Sequence, residues 1–584
     1  MKHGACAKVA RTMNTTTRLC PESNFALSLS HGATVSRWLL LLLATLWISG
    51  CASLPIEVAK PVSRALTSPG ETRLGQLVAA RAGKAGTRND SAFALVGNAE
   101  LAFSSRMTLI RAAQKTLDIQ YYAIFADDTT ERMFDALREA ARRGVRIRIL
   151  LDDFNTSGKN AQVLKLAFEE NIELRLFNPL PGGRGSLAVR ILGNLKDVAR
   201  MQRRMHNKIF VADNAVAIAG GRNLGETYFG QSEGTNFVDI DVLAAGRIVR
   251  ELSGSFDQYW NDPLAYPVES LMTLEEIRAL KPKPATAAQP GNAQEDQPAP
   301  AATRDTVATI NATPRERVVT SPDGASTALP ALPDATDLSA LNWTWAPSAM
   351  LVDKPSKIVA DADTVDEAQD TAVDGLLQLM SQAKTDLLIV SPYFVPGERM
   401  MRQFAELRRR GVRMRVLTNS LAANDAVAAH VGYARYRVAL LSMGVEIFEM
   451  RAEQASSLGS MGSGIGGSKG SSTGSSRASL HAKLVVMDER ILVVGSMNLD
   501  LRSKLQNSEV AIVIRNRAIA AEATRLTEPT LANGAYRVEL RDGKLLWHAP
   551  ARLHLDVSST EPDASVGIKL LTHLIAPFAP DEML

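Results

Sequence analysis

The sequence predicts an α/β fold made of two duplicated α/β/α sandwich halves, related by a pseudo-twofold, with the functional site at their interface. Three observations carry this. First, Met205-His206-Asn207-Lys208-Ile209-Phe210-Val211-Ala212-Asp213, followed by Gly220-Gly221-Arg222-Asn223, is repeated as Leu480-His481-Ala482-Lys483-Leu484-Val485-Val486-Met487-Asp488, followed by Gly495-Ser496-Met497-Asn498. Both stretches read H-x-K-x4-D-x6-G-[G/S]-x-N with identical spacing. Second, the order of strand and helix patterns around one copy recurs around the other, so the duplication covers the whole unit. Third, strands alternating with helices argue for helix-covered sheets, and two copies of one motif meet most simply across a twofold between halves.

The elements follow in chain order. Residues 1–50 read as a signal peptide: Trp38–Ile48 is an eleven-residue apolar run behind Arg37, too short for a membrane span and suited to a signal h-region. Residues 51–92 read as a polar tether. The first half, 93–280, begins with a helical pattern from Phe93 to Ala113. The strand Thr116–Tyr122 and the amphipathic helix Glu131–Arg143, stopped by Gly144, come next. A strand Val145–Leu151, a helix Ala161–Glu170 ended by Asn171, and a strand Ile172–Phe177 complete the run. Lys208–Val211 and Ala215–Ala219 read as buried neighbouring strands.

Residues 281–342 form a linker, of which Lys281–Pro333 is rich in Pro, Ala, Thr and Gln. The second half, 343–584, repeats the pattern: strand Asp386–Val390, helix Glu398–Arg410 stopped by Gly411, strand Val412–Leu417, helix Tyr433–Met443 stopped by Gly444, strand Val445–Phe448, then strands at Lys483–Val486 and Ile491–Val494. Arg413 and Arg415 sit as Arg146 and Arg148 do. The Gly/Ser tract 455–476 reads as a loop inserted just before the second motif, more readily a tolerated insertion than a lid.

Composition narrows the function. The net charge is +4, but residues 1–50 alone hold five basic residues against Glu22, so the remaining 61 basic and 61 acidic residues balance. A basic nucleic-acid-binding surface is therefore not indicated, and no nucleic-acid partner is expected. Of the three cysteines, Cys6 and Cys20 lie in the leader and Cys51 stands alone, which excludes an intrachain disulfide or Cys-based metal site in the mature chain. No metal-ligand motif is present, and neither metal nor cofactor is expected.

On a strand, residues i and i+2 share a face, so His206 and Lys208 point one way, as do His481 and Lys483. The small residues before Asn223 and Asn498 let backbone and amide approach a ligand closely. Each copy thus offers an imidazole, an ammonium and an amide to one phosphate. Two copies facing each other supply a nucleophile and an acid across one phosphorus. Asp213 and Asp488 belong to the motif, yet their odd offset from the histidine points to backbone bonding near the turn rather than to chemistry. Asp239 and Glu509, at corresponding places after the Asn, are the better imidazole partners, with Asp241 a rival to Asp239. Arg200, Arg203 and Arg204 form either a solvated basic face or a headgroup-attracting patch. Tyr121, Tyr122, Tyr393 and Phe394 read as core or as the wall of the site.

The doubled motif resembles that of the phospholipase D superfamily. Ser420-Leu421-Ala422-Ala423-Asn424-Asp425, Gly432-Tyr433-Ala434-Arg435-Tyr436 and Arg203-Arg204-Met205-His206-Asn207-Lys208 resemble the bacterial cardiolipin synthase branch. The resemblance implies phosphatidyl transfer to phosphatidylglycerol through a phosphohistidine, with His206 as nucleophile and His481 as acid and base; the residues alone are symmetric on this point. It implies phospholipid substrates, phosphatidylglycerol and possibly phosphatidylethanolamine, at a membrane surface. A hydrolase of the same superfamily and a non-catalytic lipid-binding envelope protein are the alternatives. Ile48-Ser49-Gly50-Cys51 resembles a lipobox. That implies lipidation at Cys51 and a periplasm-facing anchor, and Ala52 then implies the outer membrane.

Overall fold

The computed structural model describes residues 53–87, 90–280, 317–320, 326–329, 332–453 and 477–576. The expected signal peptide, Cys51, most of the linker and the Gly/Ser tract lie outside them. Residues Ser53–Leu584 form one compact unit.

The first sheet contains β1 (Ser91–Val96), β2 (Thr116–Tyr121), β3 (Arg146–Asp152), β4 (Ile172–Phe177), β5 (Ile209–Ala212), β6 (Val216–Gly220), β8 (Asp241–Gly246) and β9 (Ala265–Pro267), with β7 (Thr235–Val238) set apart. A ribbon, β10 (Arg317–Thr320) with β11 (Ser326–Leu329), and then β12 (Thr344–Ala346) and β13 (Ser348–Val352) lead into the second half. There follow β14 (Asp386–Val390), β15 (Arg413–Asn419), β16 (Glu446–Met450), β17 (Arg477–Leu480), β18 (Leu484–Met487), β19 (Ile491–Gly495), β20 (Val510–Arg515), β21 (Ala535–Arg541) and β22 (Lys544–His548).

The sheet orders are β12-β1-β8-β6-β5-β2-β3-β4-β9 and β13-β20-β19-β18-β14-β15-β16-β21-β22. Apart from one extra edge strand each, the orders superpose strand for strand. Three central strands run parallel in each sheet, β2-β3-β4 and β14-β15-β16. They are buried on both faces, as parallel strands between two covering layers must be, and the buried charges they carry are paired, as Arg148 is with Asp118 at 2.7 Å. One apolar layer joins the halves: Ile209, Val211, Val242 and Ala244 meet Leu484, Val486, Val494 and Ile512. The helices Arg247–Trp260 and Arg517–Asn533 also pack into it, through Ile248, Val249, Leu252, Ile519, Ala520 and Ala523. The helices Ala99–Ala112 and Asp128–Arg142 pack on the outer face of the first sheet, and Ala372–Met380, Gly397–Arg409 and Val427–Ser442 on that of the second. No helix among the described residues is long and apolar enough to cross a membrane.

Local signals explain most element bounds. Asp127 and Thr130 form a capping box that starts the helix Asp128–Arg142, and Gly144, at φ 88°, ends it. Four expectations need correction. Phe93–Val96 is not the start of a helix but strand β1, and the helix Ala99–Ala112 begins only where Asn98 caps it. The segment expected as an α-helix at 161–170 is a 3-10 helix, Gly158–Phe168. The 51–92 stretch is no free tether: it carries the helix Arg73–Lys84 with Leu74 buried, and its backbone bonds the first half, Ser63 N–H to Asn261 and Ala65 N–H to Asp257. Thr344–Ala346, assigned from sequence to the second half, pairs with β1 in the first sheet.

Candidate active site

Each motif histidine is seated on the opposite half. Met205 bridges Ser508, the His206 N–H donates to the Ser508 carbonyl at 2.9 Å, and the Ser508 N–H donates to the Arg204 carbonyl at 2.9 Å. On the other side β17 runs parallel to β7, and the His481 N–H donates to the Val238 carbonyl at 2.8 Å. In both cases the accepting carbonyl belongs to the residue just before the carboxylate. The imidazole–carboxylate pairs are therefore crossed. His206 Nδ1 lies 3.0 and 3.1 Å from the two oxygens of Glu509, and His481 Nδ1 lies 2.7 Å from Asp239. Both carboxylates expected from sequence are used. Asp241 is not a rival, since it pairs with Arg106 at 2.9 Å and Arg222 at 3.3 Å.

A carboxylate on Nδ1 fixes the tautomer and leaves Nε2 for chemistry. Lys208 Nζ donates to its own histidine's carbonyl at 2.7 Å, and Lys483 Nζ sits 2.9 Å from His481 Nδ1. Asn223 accepts from the Ala123 N–H and donates to the Tyr228 hydroxyl at 2.9 Å. The buried Asn498 Oδ1 has no hydrogen-bond partner among the described residues. Burial, then the charges of Lys208, Lys483 and Arg502, hold His206 well below the usual histidine range. Burial, then Lys483, Lys208 and His206, do the same to His481. Groups from both halves thus act on each ring, which is what a shared site requires. Burial also pulls Lys208 down to about 7 and Lys483 down to about 8. It pushes Glu509 up to about 7 and raises Asp239. The direction favours the neutral imidazole, the form a nucleophile or base needs, whereas a ring acting as acid must gain a proton when substrate brings its negative charge.

Asp213 and Asp488, grouped with the catalytic set by the motif, stand at the far ends of β5 and β18. Asp213 accepts the N–H groups of Gln114, Lys115 and Thr116 at 2.8–2.9 Å, and Asp488 those of Lys384, Thr385 and Asp386 at 2.8–3.2 Å. Both are backbone clamps. Arg204 is neither solvated nor available to headgroups: it is buried and bonded to Asp152 at 3.3 Å and to the Asn178 carbonyl. Arg200 and Arg203 pair with Asp197 and Asp361. Of the aromatics, Tyr122 meets His206 edge-on at 5.1 Å, Tyr121 is buried against Arg106, and Phe394 is core. Tyr393 donates to Asp425 at 2.8 Å.

Sequence reasoning missed four residues. Tyr228 and Phe237 pack on the His481 ring at 5.1 and 5.0 Å, and Ser496 and Ser503 donate to Glu509. Ser496 was in view as the variable motif position, and its departure from Gly221 was the available signal. No group of three or more metal-ligating residues occurs among the described residues.

Comparison with known proteins agrees with this geometry. Residues 107–260 and 376–528, more than half of the chain, each match the family model described as "Cardiolipin synthase, PLD-like domain". The chain belongs to this family. Cardiolipin synthase C of Escherichia coli is 34% identical over 491 residues, covering 83% of this chain and 94% of its own length. Cardiolipin synthase B of Salmonella typhimurium is 23% identical over 437 residues, covering 74% and 79%. In fold the chain is similar to phosphatidylserine synthase of Haemophilus influenzae, with TM-score 0.50 and 14% identity over 86% of this chain and 99% of that one. The two matched segments are the duplicated halves of this family, and the chain is an enzyme of the phospholipase D superfamily.

Proposed function

We propose that the protein makes cardiolipin by moving a phosphatidyl group onto the glycerol headgroup of phosphatidylglycerol. The observation that carries this reading is the crossed pair of imidazoles, each aligned by a carboxylate from the other half. Nε2 of His206 attacks the donor phosphorus and the bond to the headgroup oxygen breaks, while His481, held as the imidazolium by Asp239 and by the negative charge of the bound phosphodiester, gives its Nε2 proton to the departing alcohol. His481, now neutral, takes the proton from the acceptor's headgroup hydroxyl. That oxygen attacks phosphorus, the phosphorus–nitrogen bond breaks, and His206 is regenerated. In this scheme Lys208 and Lys483 offset the charge that develops on the non-bridging oxygens, and the amides of Asn223 and Asn498 donate to them.

Phosphatidylglycerol or phosphatidylethanolamine serves as donor in this scheme. Cys51 would be the lipid anchor that holds the enzyme on its substrate surface, facing the periplasm and on the outer membrane. The test incubates purified protein with phosphatidylglycerol, with and without phosphatidylethanolamine, and analyses the lipids. Cardiolipin is expected, lost in His206→Ala and His481→Ala by at least about 10⁴-fold. Phosphatidic acid as the main product would mean that water resolves the intermediate. Unchanged lipid would retire the reading.

A further inference from the structure

We propose that two outward-facing apolar patches, one on each half, dock the site-bearing end of the molecule onto an anionic bilayer surface. The inference rests on the lipid-substrate reading above and adds how the enzyme meets its substrate. The first patch is the segment 187–200, made of the helices Leu187–Gly193 and Val198–Gln202 and their connection. The second is the helix Val566–Ile575.

Exposed large apolar side chains on soluble proteins are usually scattered singly. Here eight of the fifteen among the described residues fall on these two segments: Val189, Leu192, Leu195 and Val198 are 44–67% exposed, and Val566, Leu570, Leu571 and Leu574 are 43–84% exposed. Neither segment is loose. Buried Arg190 donates to Ser157 at 2.9 Å and to the Leu180 carbonyl at 3.0 Å and pairs with Asp153, while Asn194 donates to the Pro181 carbonyl at 3.0 Å. The helix Val566–Ile575 is held at its C-terminal end, where Ile575 packs with Val395 and Tyr436, and just before its start, where Ala564 packs with Ala422, Ala423 and Ala452.

The topology puts both patches at the site end. β5 is antiparallel to β2 with Ile209 opposite Gln120, so His206 enters at the C-terminal end of β2. The first patch leaves the C-terminal end of β4, parallel to β2 through β3. In the second half, Leu484 opposite Val390 places His481 at the C-terminal end of β14. The residues holding the second patch, Val395, Ala422, Ala423 and Ala452, follow β14, β15 and β16 at that same end.

Charge selects the occupant. The first patch carries Lys196, and its one carboxylate, Asp197, is paired with Arg200 at 2.9 Å. The second carries Lys569 and His573 and no carboxylate. Apolar side chains flanked by lysines that no carboxylate within either segment pairs suit anionic lipid, whereas two copies meeting through like patches would set lysine against lysine.

The test uses the full chain. Leu195→Trp and Leu574→Trp are each mixed with phosphatidylglycerol vesicles containing bromine-labelled lipid, and with phosphatidylcholine vesicles. Quenching of the new tryptophan is expected on phosphatidylglycerol and not on phosphatidylcholine. It reads contact at these positions whether or not Cys51 carries lipid. Leu192→Ser/Leu195→Ser combined with Leu570→Ser/Leu574→Ser is expected to lower product formation on phosphatidylglycerol vesicles about tenfold, and on detergent-dispersed short-chain phosphatidylglycerol less than about twofold. No quenching at either position, or vesicle activity unchanged in the quadruple variant, overturns docking. So does conversion of a dimer to a monomer by these substitutions, which would mark the patches as a protein interface. Failure of the unmutated enzyme on dispersed lipid, with quenching intact, would count against phosphatidyl transfer and leave docking standing.

Discussion

The two half-sites use the same residue types and are not equivalent. At His206 the carboxylate is Glu509, which accepts from the Ser496 and Ser503 hydroxyls as well as facing the ring, and whose backbone N–H is held by Asp353. At His481 the carboxylate is the shorter Asp239, which accepts only the Ile240 N–H beside the ring among the bonds described. The motif residue that differs accounts for this. A side chain on Gly221 would begin 2.7 Å from Asp239, so only glycine fits, whereas Ser496 supplies a hydroxyl to the longer Glu509. Tyr228 takes the place of Ser503 in order after the Asn, and with Phe237 it walls His481 with rings instead of feeding the carboxylate. The duplicated fold thus supplies one imidazole locked by a hydroxyl-bonded carboxylate and one held among aromatics with an ammonium at its Nδ1. The locked ring suits the nucleophile, which must meet phosphorus in line. The other suits proton transfer, which tolerates small movements.

The comparison can be broken most severely at the carboxylates. Glu509→Gln and Asp239→Asn should each lower kcat by about 10²–10⁴-fold, because the Nδ1 tautomer is no longer fixed. If the crossed pairing is right, Glu509→Gln impairs formation of the covalent intermediate, which is read by rapid quench. Asp239→Asn, acting through His481, impairs both steps.

A smaller contrast lies at the motif's variable position. Gly221→Ala should cost about 1–3 kcal/mol in stability and about tenfold or more in activity, since its Cβ displaces Asp239. Ser496→Ala removes one donor to a carboxylate that keeps Ser503, and should cost about 1 kcal/mol and only a few-fold in kcat. Equal effects in thermal melts and assays would mean the two sides are interchangeable.

The pH dependence sharpens the same picture. Glu509 is raised from 4.5 to about 7, so the folded state binds its proton more tightly than the unfolded chain does. Its contribution to stability is present below about pH 4.5 and lost as pH rises through 7. Glu509→Gln should therefore be more stable than the parent at pH 7 than at pH 5, by on the order of 1–2 kcal/mol in denaturant titrations. Catalytic kcat/KM should fall above about pH 8 as Lys483 loses its charge. The smallest effect on chemistry is expected at the clamps. Asp213→Asn should lower stability by about 2 kcal/mol, more than Asp488→Asn at its less buried site, with turnover per folded molecule nearly unchanged.

Much of this was legible in the residues. The alternating run Thr116–Tyr121 and the glycine stops at Gly144, Gly411 and Gly444 marked the duplicated units, and the odd spacing to Asp213 and Asp488 pointed to the backbone bonds they make. Phe93–Val96 was misread because a four-residue apolar run has no distinctive period until Asn98 caps the following helix. The crossing of the carboxylates was not legible. Asp239 and Glu509 occupy equivalent places, and the residues read the same whether each serves its own half or the other. Only the β7–β17 pairing and the Met205–Ser508 bridge, contacts hundreds of residues apart in sequence, decide it. Arg204 was opaque for the same reason, its partner Asp152 being 52 positions away.

The central claim is that imidazoles from both halves act in turn on one phosphorus, with the covalent bond on His206. The direct measurement is trapping by a denaturing quench at alkaline pH, which preserves a phosphorus–nitrogen bond, with phosphatidylglycerol labelled at phosphorus, followed by peptide mapping of the unmutated enzyme and of His481→Ala. A labelled phosphatidyl group on the peptide containing His206 is predicted in both, formed much more slowly but longer-lived when His481 is absent. Label on His481 would contradict the account, as would turnover with no labelled histidine.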